Sequence, residues 1–422
     1  MLVDQPSRLR DPVRPSWVST CETENVVSWP EDRAAVDPLE VVRLRDPYGV
    51  LSVYVDADPR EQASSRPAWI VAAENGLSEV RERVKSDGDR PRWTAVFERL
   101  ERLEAELATL LDPRQPGRGR ALFATIDGGA VHRVSVQVPL ENHVSLDEAA
   151  YLIPLLVALD RGRPAGLVVV SQAAAVALEQ HLGVVRELTT IALEPDTSDW
   201  REMKGPAAAN PALAQHGAPQ RDLFDRRLGE HRGRLLEGAA TRLVELAAQR
   251  SWDRVVVAGD GRLGPPLAEA FGAYETDVSV VDRTLHGISP SEIGAALAGE
   301  LDEANRRRED RLVARARNAA LSGGAGALGL ADVLTALADG RVDRLLVAEG
   351  REYRGMRSSD GILVPEGVVP PGVAAHELAP VPSLTTHMIE QALAIDARVT
   401  PLSATGAAAL AEHDGIAALL RW

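Results

Sequence analysis

Cysteine is almost absent. Cys21 stands alone, so no disulfide forms within the chain and no thiolate zinc site can be assembled from it. Lysine is nearly missing as well: Lys85 and Lys204 are the two, and every other basic side chain is Arg. Positive charge is in deficit overall, with a net charge of −15, which argues against indiscriminate binding to nucleic acid or an anionic membrane. One docked basic patch remains compatible with that balance. No apolar run approaches the roughly 18 residues of a membrane span. The first 38 residues, studded with Pro6, Pro12, Pro15, Pro30 and Pro38, hold no apolar run of the signal-peptide kind. A soluble, cytoplasmic protein is expected. Motifs for common chemistry are missing too. The nine histidines show no His-x-His or His-x-x-x-His spacing, and neither Gly-x-Ser-x-Gly nor Gly-x-x-x-x-Gly-Lys occurs. No metal and no cofactor are expected.

What is present is a long alternation of strand and helix patterns. The 422 residues suggest two to four domains with ample buried core. Residues 1–37 read as a poorly ordered extension. A first α/β domain spans 38–162. It holds a strand at Val50 to Val55, helices at Trp69 to Val84 and Trp93 to Leu111, and a hairpin around Gly128-Gly129. A middle α/β domain spans 163–286, and a third spans 287–422. Ser289-Pro290-Ser291-Glu292 is a capping box that starts a helix running to about Leu321. Its run Arg306-Arg307-Arg308, Arg311, Arg315 and Arg317 is interleaved with acids and reads as a solvated, ion-paired face. The predicted class is α/β with α+β character, in three domains.

The middle domain carries the most unusual stretch. After a strand ending near Leu193, about 25 residues of loop run from Pro195 to Gln220, far longer than most loops in a compact domain. The loop contains Trp200, Arg201 and Lys204, and it ends in Gly217-Ala218-Pro219-Gln220. A long helix is expected to follow, with Phe224, Leu228, Leu235, Ala239, Leu243 and Leu246 as its apolar stripe. Arg227, His231 and Arg234 share another face, with Arg226 and Arg232 beside it. From Arg201 to Arg234 the local charge is +3. Such a loop and helix suit a probe into a polyanionic site; an ordinary surface loop on a solvated helix is the competing reading.

Two other patterns compete. Asp56-x-Asp58 at a strand end, with Gly259-Asp260-Gly261 at another, invites comparison with magnesium-dependent phosphatases that use an aspartate nucleophile. Turn-forming aspartates are the simpler account. Gly324-Ala325-Gly326-Ala327-Leu328-Gly329 matches a dinucleotide fingerprint, with Glu349 beyond it, but a charged helix precedes it where the motif requires a strand.

The order of elements resembles the bacterial relatives of the archaeal and eukaryotic class-one release factors, the family that includes Pelota and the hibernation factor Balon. Gly49 to Asp56, Gly119 to Ala124 and Gly166 to Val170 carry the resemblance in the first two domains. Gly329 to Leu334, Gly340 to Val347 and Gly415 to Trp422 carry it in the third. The resemblance covers about 39–422. It implies a protein that enters the ribosomal A site, with partners in ribosomal RNA and the acceptor end of tRNA. It also implies a translational GTPase such as elongation factor Tu facing the third domain. Gly217, Gln220, Trp200, Arg201, Lys204, Arg226, Arg227, His231, Arg232 and Arg234 become candidate RNA contacts. True release factors carry Gly-Gly-Gln at the tip of this loop; this chain does not. Gln220, with Gln215 as a second candidate, is the nearest catalytic equivalent. Pro219 removes the backbone N–H just before Gln220 and restricts Ala218. The expectation is therefore a non-hydrolytic factor of hibernation or rescue type, with peptidyl-tRNA hydrolysis as the alternative.

Overall fold

The computed structural model describes residues 38–61, 66–193, 217–273, 276–370, 373–381 and 383–422. The side chains of 38, 39, 217–232 and 273 lie outside that description. So do residues 1–37, expected to be a poorly ordered extension, and residues 195–216 of the expected loop. The fold is mixed α/β, built on separate sheets.

The first unit comprises α1 (Pro38–Val42), β1 (Arg45–Asp56), α2 (Ala68–Ser86), α3 (Arg90–Arg102), α4 (Glu104–Leu111), β2 (Gly119–Thr125), β3 (Val131–Val136), β4 (His143–Ala149) and α5 (Ile153–Arg161). Its antiparallel sheet has the order β3-β2-β1-β4. From Val50 to Val55 every residue of β1 is buried, because both faces are covered. Leu51, Val53 and Val55 face α2 to α4. Val50 and Tyr54 face the opposite way, into a second core. The helix expected from Trp93 to Leu111 is instead two. It breaks at Leu103, which is 1% exposed and occupies the corner. Apolar periodicity continues through such a corner, so the sequence pattern does not reveal it.

The second unit comprises β5 (Ala165–Val170), β6 (Ala174–His181), β7 (Val184–Ala192), α6 (Gly217–Gln249), β8 (Arg254–Gly259), α7 (Gly264–Ala270), β9 (Asp277–Asp282), α8 (Pro290–Ala296) and α9 (Ala298–Leu321). Its sheet order is β7-β6-β5-β8-β9, with β5, β8 and β9 parallel and β6 and β7 antiparallel. α6 and α7 cover one face, over Val168, Val170, Val255 and Val257. Residues 290–301, which the sequence places at the entry of the third domain, cover the other. Ile293, Leu297 and Leu301 pack there on Leu167, Val169 and Val256. The capping box forms as expected, with Ser289 Oγ accepting from the Glu292 N–H. The single long helix again proves to be two, broken at the fully buried Leu297.

The third unit comprises β10 (Gly326–Leu328), α10 (Leu330–Ala338), β11 (Val342–Ala348), β12 (Gly355–Ser358), β13 (Leu363–Pro365), β14 (Leu378–Val381), α11 (Leu384–Ala394), β15 (Arg398–Leu402), α12 (Ala404–Ala408) and β16 (Ile416–Leu420). Its main sheet is β10-β16-β11-β15, and β13-β12-β14 form a small second sheet. The Gly/Ala-rich stretch that imitates a dinucleotide fingerprint is β10, paired with β16.

One apolar core joins the first and third units. Tyr54, Phe123 and Leu155 belong to the same buried cluster as Leu337, Leu345, Val347 and Leu384. The second unit meets the third through an apolar patch, where Val313 and Ala316 of α9 pack on Leu346, Leu402, Leu410, Ala417 and Leu419, and it meets the first through charge. Arg308 of α9 donates to both oxygens of Asp160 on α5 at 2.8 and 3.0 Å, and its Nε lies 3.2 Å from Asp253. Arg254 donates to the carbonyls of Arg161 and Arg163 at 3.0 and 2.8 Å. Within the second unit, Arg307 and Arg311 of α9 both reach Asp277 on β9. The arginine run is therefore not simply a solvated face: Arg306 fits that reading, through Glu303, but Arg308 is 7% exposed.

Two half-buried histidines make stability sensitive to acid. His143 stacks on Tyr151 with ring centroids 4.3 Å apart, and its buried Nε2 has no partner. Burial lowers its pKa, with Arg83 adding to that and Asp147 and Glu141 opposing it. Burial likewise lowers the pKa of His181, against the pull of Glu179. A depressed folded pKa means that this stability is complete above the unfolded value of about 6.5 and is lost as pH falls through the folded values. The expected result is a melting temperature that drops between pH 7 and 5, a slope that His143→Gln flattens. An unchanged slope in that variant would remove His143 from the account.

Candidate functional site

α6 runs for 33 residues and starts at Gly217, four residues earlier than expected. Gly217-Ala218-Pro219-Gln220 is thus not the end of a loop but the first turn of the helix. Proline is compatible there because the first four helical N–H groups have no partner within the helix. The turn remains altered electrostatically, since Pro219 contributes none of the N–H groups that the other early positions present.

The described packing of α6 begins at Leu235 and Leu236, half-buried at the rim. Ala239, Ala240, Leu243, Val244 and Ala247 are buried against the sheet. Eighteen helical residues, 217–234, precede that contact, about 27 Å of helix at 1.5 Å per residue. A Cβ built at Gly233 would meet nothing within 4 Å, so close helix packing is not what places a glycine there. Leu235, Ala239, Leu243 and Leu246 of the expected stripe do face the core, whereas Phe224 and Leu228 lie outside the described side chains.

Because the helix is unbroken from Gly217 to Gln249, positions 227, 231 and 234 fall within about 60° of one another around its axis. Positions 226 and 232 lie about 80° and about 100° beyond the two edges of that arc. Arg234 is exposed; the side chains of Gln220, Arg226, Arg227, His231 and Arg232 lie outside the described residues. Trp200, Arg201, Lys204 and Gln215 also lie outside them. The backbone therefore brings five basic or imidazole positions onto one stretch of helix behind Gln220.

The competing carboxylate site looks different on inspection. Arg118 donates to Asp56 through Nε at 2.7 Å and Nη2 at 2.9 Å. Arg60 donates to Asp58 from Nε at 3.0 Å and from its backbone N–H at 2.9 Å. The Arg60 side chain, then its backbone N–H, hold the Asp58 carboxyl well below the usual range. Asp260 accepts the Arg262 N–H, as an Asx turn does. Two carboxylates bound by guanidinium groups do not form the open oxygen pair that magnesium requires. Among the described residues no group of three or more His, Cys, Asp or Glu is placed to hold a metal, and no helix is long and apolar enough to cross a membrane.

Residues 164–296 match the family model for bacterial archaeo-eukaryotic release factor family 5. That span opens at β5, contains α6 and closes on α8. An uncharacterised Bacillus subtilis protein, YocB, is 22% identical over 227 residues, covering 53% of this chain and 83% of its own. The chain is also similar to the archaeal translation termination factor aRF1. The two are 17% identical over 91% of this chain and 95% of that one, with a TM-score of 0.23. Archaeoglobus fulgidus Pelota is 15% identical over 72% of this chain and 79% of that one, with a TM-score of 0.33.

Proposed function

We propose, from the premise that this chain is a bacterial release-factor-like protein, that it is a translation factor of the ribosomal A site that does not hydrolyse peptidyl-tRNA. The observation that carries the reading is the start of α6. The segment nearest to the release-factor Gly-Gly-Gln is Gly217-Ala218-Pro219-Gln220, and it is wound into a helical turn. Hydrolysis at the peptidyl-transferase centre depends on donors placed to within fractions of an ångström. A helical turn with Pro219 before the glutamine lacks the N–H that would flank it. Occupancy needs less: a rigid helix carrying positive charge to a polyanionic wall. Arg226, Arg227, Arg232 and Arg234 supply that charge, with Gly217, Gln220, His231 and the loop residues Trp200, Arg201 and Lys204 nearest the RNA. A factor that fills the site without chemistry serves hibernation or rescue in the cytoplasm. Its partners would be ribosomal RNA, the tRNA acceptor end and a translational GTPase such as elongation factor Tu.

Co-sedimentation with 70S ribosomes across a salt series tests this, using empty ribosomes and ribosomes carrying peptidyl-tRNA. Binding should weaken with salt. Replacing Arg227 and Arg234 together with Ala should lower the slope of log affinity against log salt by roughly 1.4 to 1.8. Gln220→Ala should bind as the parent does. Release of peptide by the parent that Gln220→Ala or Gln215→Ala abolishes would establish the hydrolase reading instead. No binding at low salt would end both.

A further inference from the structure

A cleft of about 850 Å3 opens between the first unit and the small sheet of the third. One wall is the irregular start of β1 with the last turns of α2; the other is Arg357 of β12. Several of its charged groups are already engaged. Asp46, 4% exposed, accepts the backbone N–H groups of Tyr48 and Asp127 at 2.7 and 2.6 Å. Asp87 is paired with Arg92 at 3.1 Å, and Arg92 also donates to the Tyr48 carbonyl. Arg45 is drawn to Glu390. Four exposed side chains are left along the cleft: Arg83 and Arg357, Asp147 and Glu148. Tyr48 lies among them. A second space of about 510 Å3 shares Arg357 and continues along Ser358 to Gly361.

We infer that this cleft binds a nucleotide phosphate, either free or within a single strand of RNA. The inference does not depend on the ribosomal reading of α6. Two guanidinium groups from different units flank one space, in a chain of net charge −15. Guanidinium groups take phosphate oxygens in paired hydrogen bonds. A purely anionic ligand would be repelled by Asp147 and Glu148, and a purely cationic one by Arg83 and Arg357. A nucleotide satisfies both pairs, with phosphate for the arginines and ribose hydroxyls or base amino groups as donors to the carboxylates. Tyr48, half-buried where it packs on the core of the first unit, also lines the cleft. The volume falls within the roughly 300 to 1,000 Å3 of small-molecule sites. The adjoining space past Arg357 leaves room for a second nucleotide of a strand.

Calorimetric titration of the full chain with ATP, with GTP and with a six-nucleotide RNA tests the site. Saturable binding of at least one probe is expected, weakened about tenfold or more by Arg83→Ala and by Arg357→Ala, since each removes a charge-assisted phosphate contact. Both side chains are exposed, so urea midpoints should stay at the parent value and show that the fold is intact. Arg306→Ala, at an exposed ion pair away from the cleft, should leave nucleotide binding unchanged. Preference for the mononucleotides would identify a free ligand, and preference for the oligomer an RNA strand; either supports the cleft. No binding of any probe, or binding that both single substitutions leave untouched, overturns it.

Discussion

Arg308→Met is expected to destabilise the chain by about 3 to 5 kcal/mol, the loss typical when one member of a buried charge cluster is removed. The Arg308 side chain is 9% exposed, Asp160 12% and Asp253 25%, so solvent screens this junction weakly. Burial alone would lower the Arg308 pKa, but hydrogen bonds and charge from Asp160, then Asp253, carry it above its ordinary value. Neighbouring arginines show the opposite balance. Burial lowers Arg254, and it pushes Arg344 down to about 10, with Arg308 adding to the effect. All three guanidinium groups are cations at neutral pH, and Arg308 is the one of them that reaches both Asp160 and Asp253. Removing it leaves Asp160 and Asp253 with fewer counter-charges and also frees α9 from α5. Urea denaturation followed by tryptophan fluorescence measures the loss, and Arg306→Ala, at an exposed pair, should stay within about 0.5 kcal/mol of the parent. Equal effects from the two substitutions would refute the assignment. Adding Asp160→Asn to Arg308→Met should recover part of the loss, because one unpaired carboxylate is then gone.

The junction shows where sequence reading stops. Strands were legible wherever apolar runs ended in turn residues: β1 covers Val50 to Val55, β7 ends beside Leu193 and β8 ends at Gly259. The capping box at Ser289 was legible because its chemistry is local. Helix corners at Leu103 and Leu297 were not, since each corner residue is a buried leucine that continues the periodicity. β12 to β14 were hidden as well, being strands of three or four residues that include Pro365 and Pro380. A run of arginines announces a charged helix, but its partners in other elements decide which member is buried. Asp160 and Asp253 lie 148 and 55 residues from Arg308. The same limit applies to the cleft, where Arg83 and Arg357 belong to different units. For α6 the sequence supplied the arginine spacing and the long helix but set its start too late. Proline and glycine before Gln220 suggested loop, yet both are acceptable in a first helical turn.

Gly166→Ala should cost about 3 kcal/mol, the upper end for overpacking a core by one methyl group. Gly166 lies on β5, the central strand of the second sheet, opposite Glu179 on β6 and Val255 on β8. The Trp252 ring lies against it, so that an added Cβ would stand 2.3 Å from ring atom Cε3. The ring has little freedom to yield. It is 4% exposed, and its Nε1 donates to Glu179 Oε1 at 3.1 Å, a carboxylate that is itself 1% exposed. Moving the ring would stretch that bond and leave a buried acid short of a donor, which costs more than the methyl group returns. Glycine here is thus required by an indole lying across the strand, since the backbone conformation itself is ordinary. A double substitution isolates the cause. Trp252→Leu alone should destabilise through lost packing and a lost donor to Glu179. Adding Gly166→Ala to it should cost much less than 3 kcal/mol, because the opposing ring is gone. Fully additive losses would show that the alanine disturbs the β5 pairing itself.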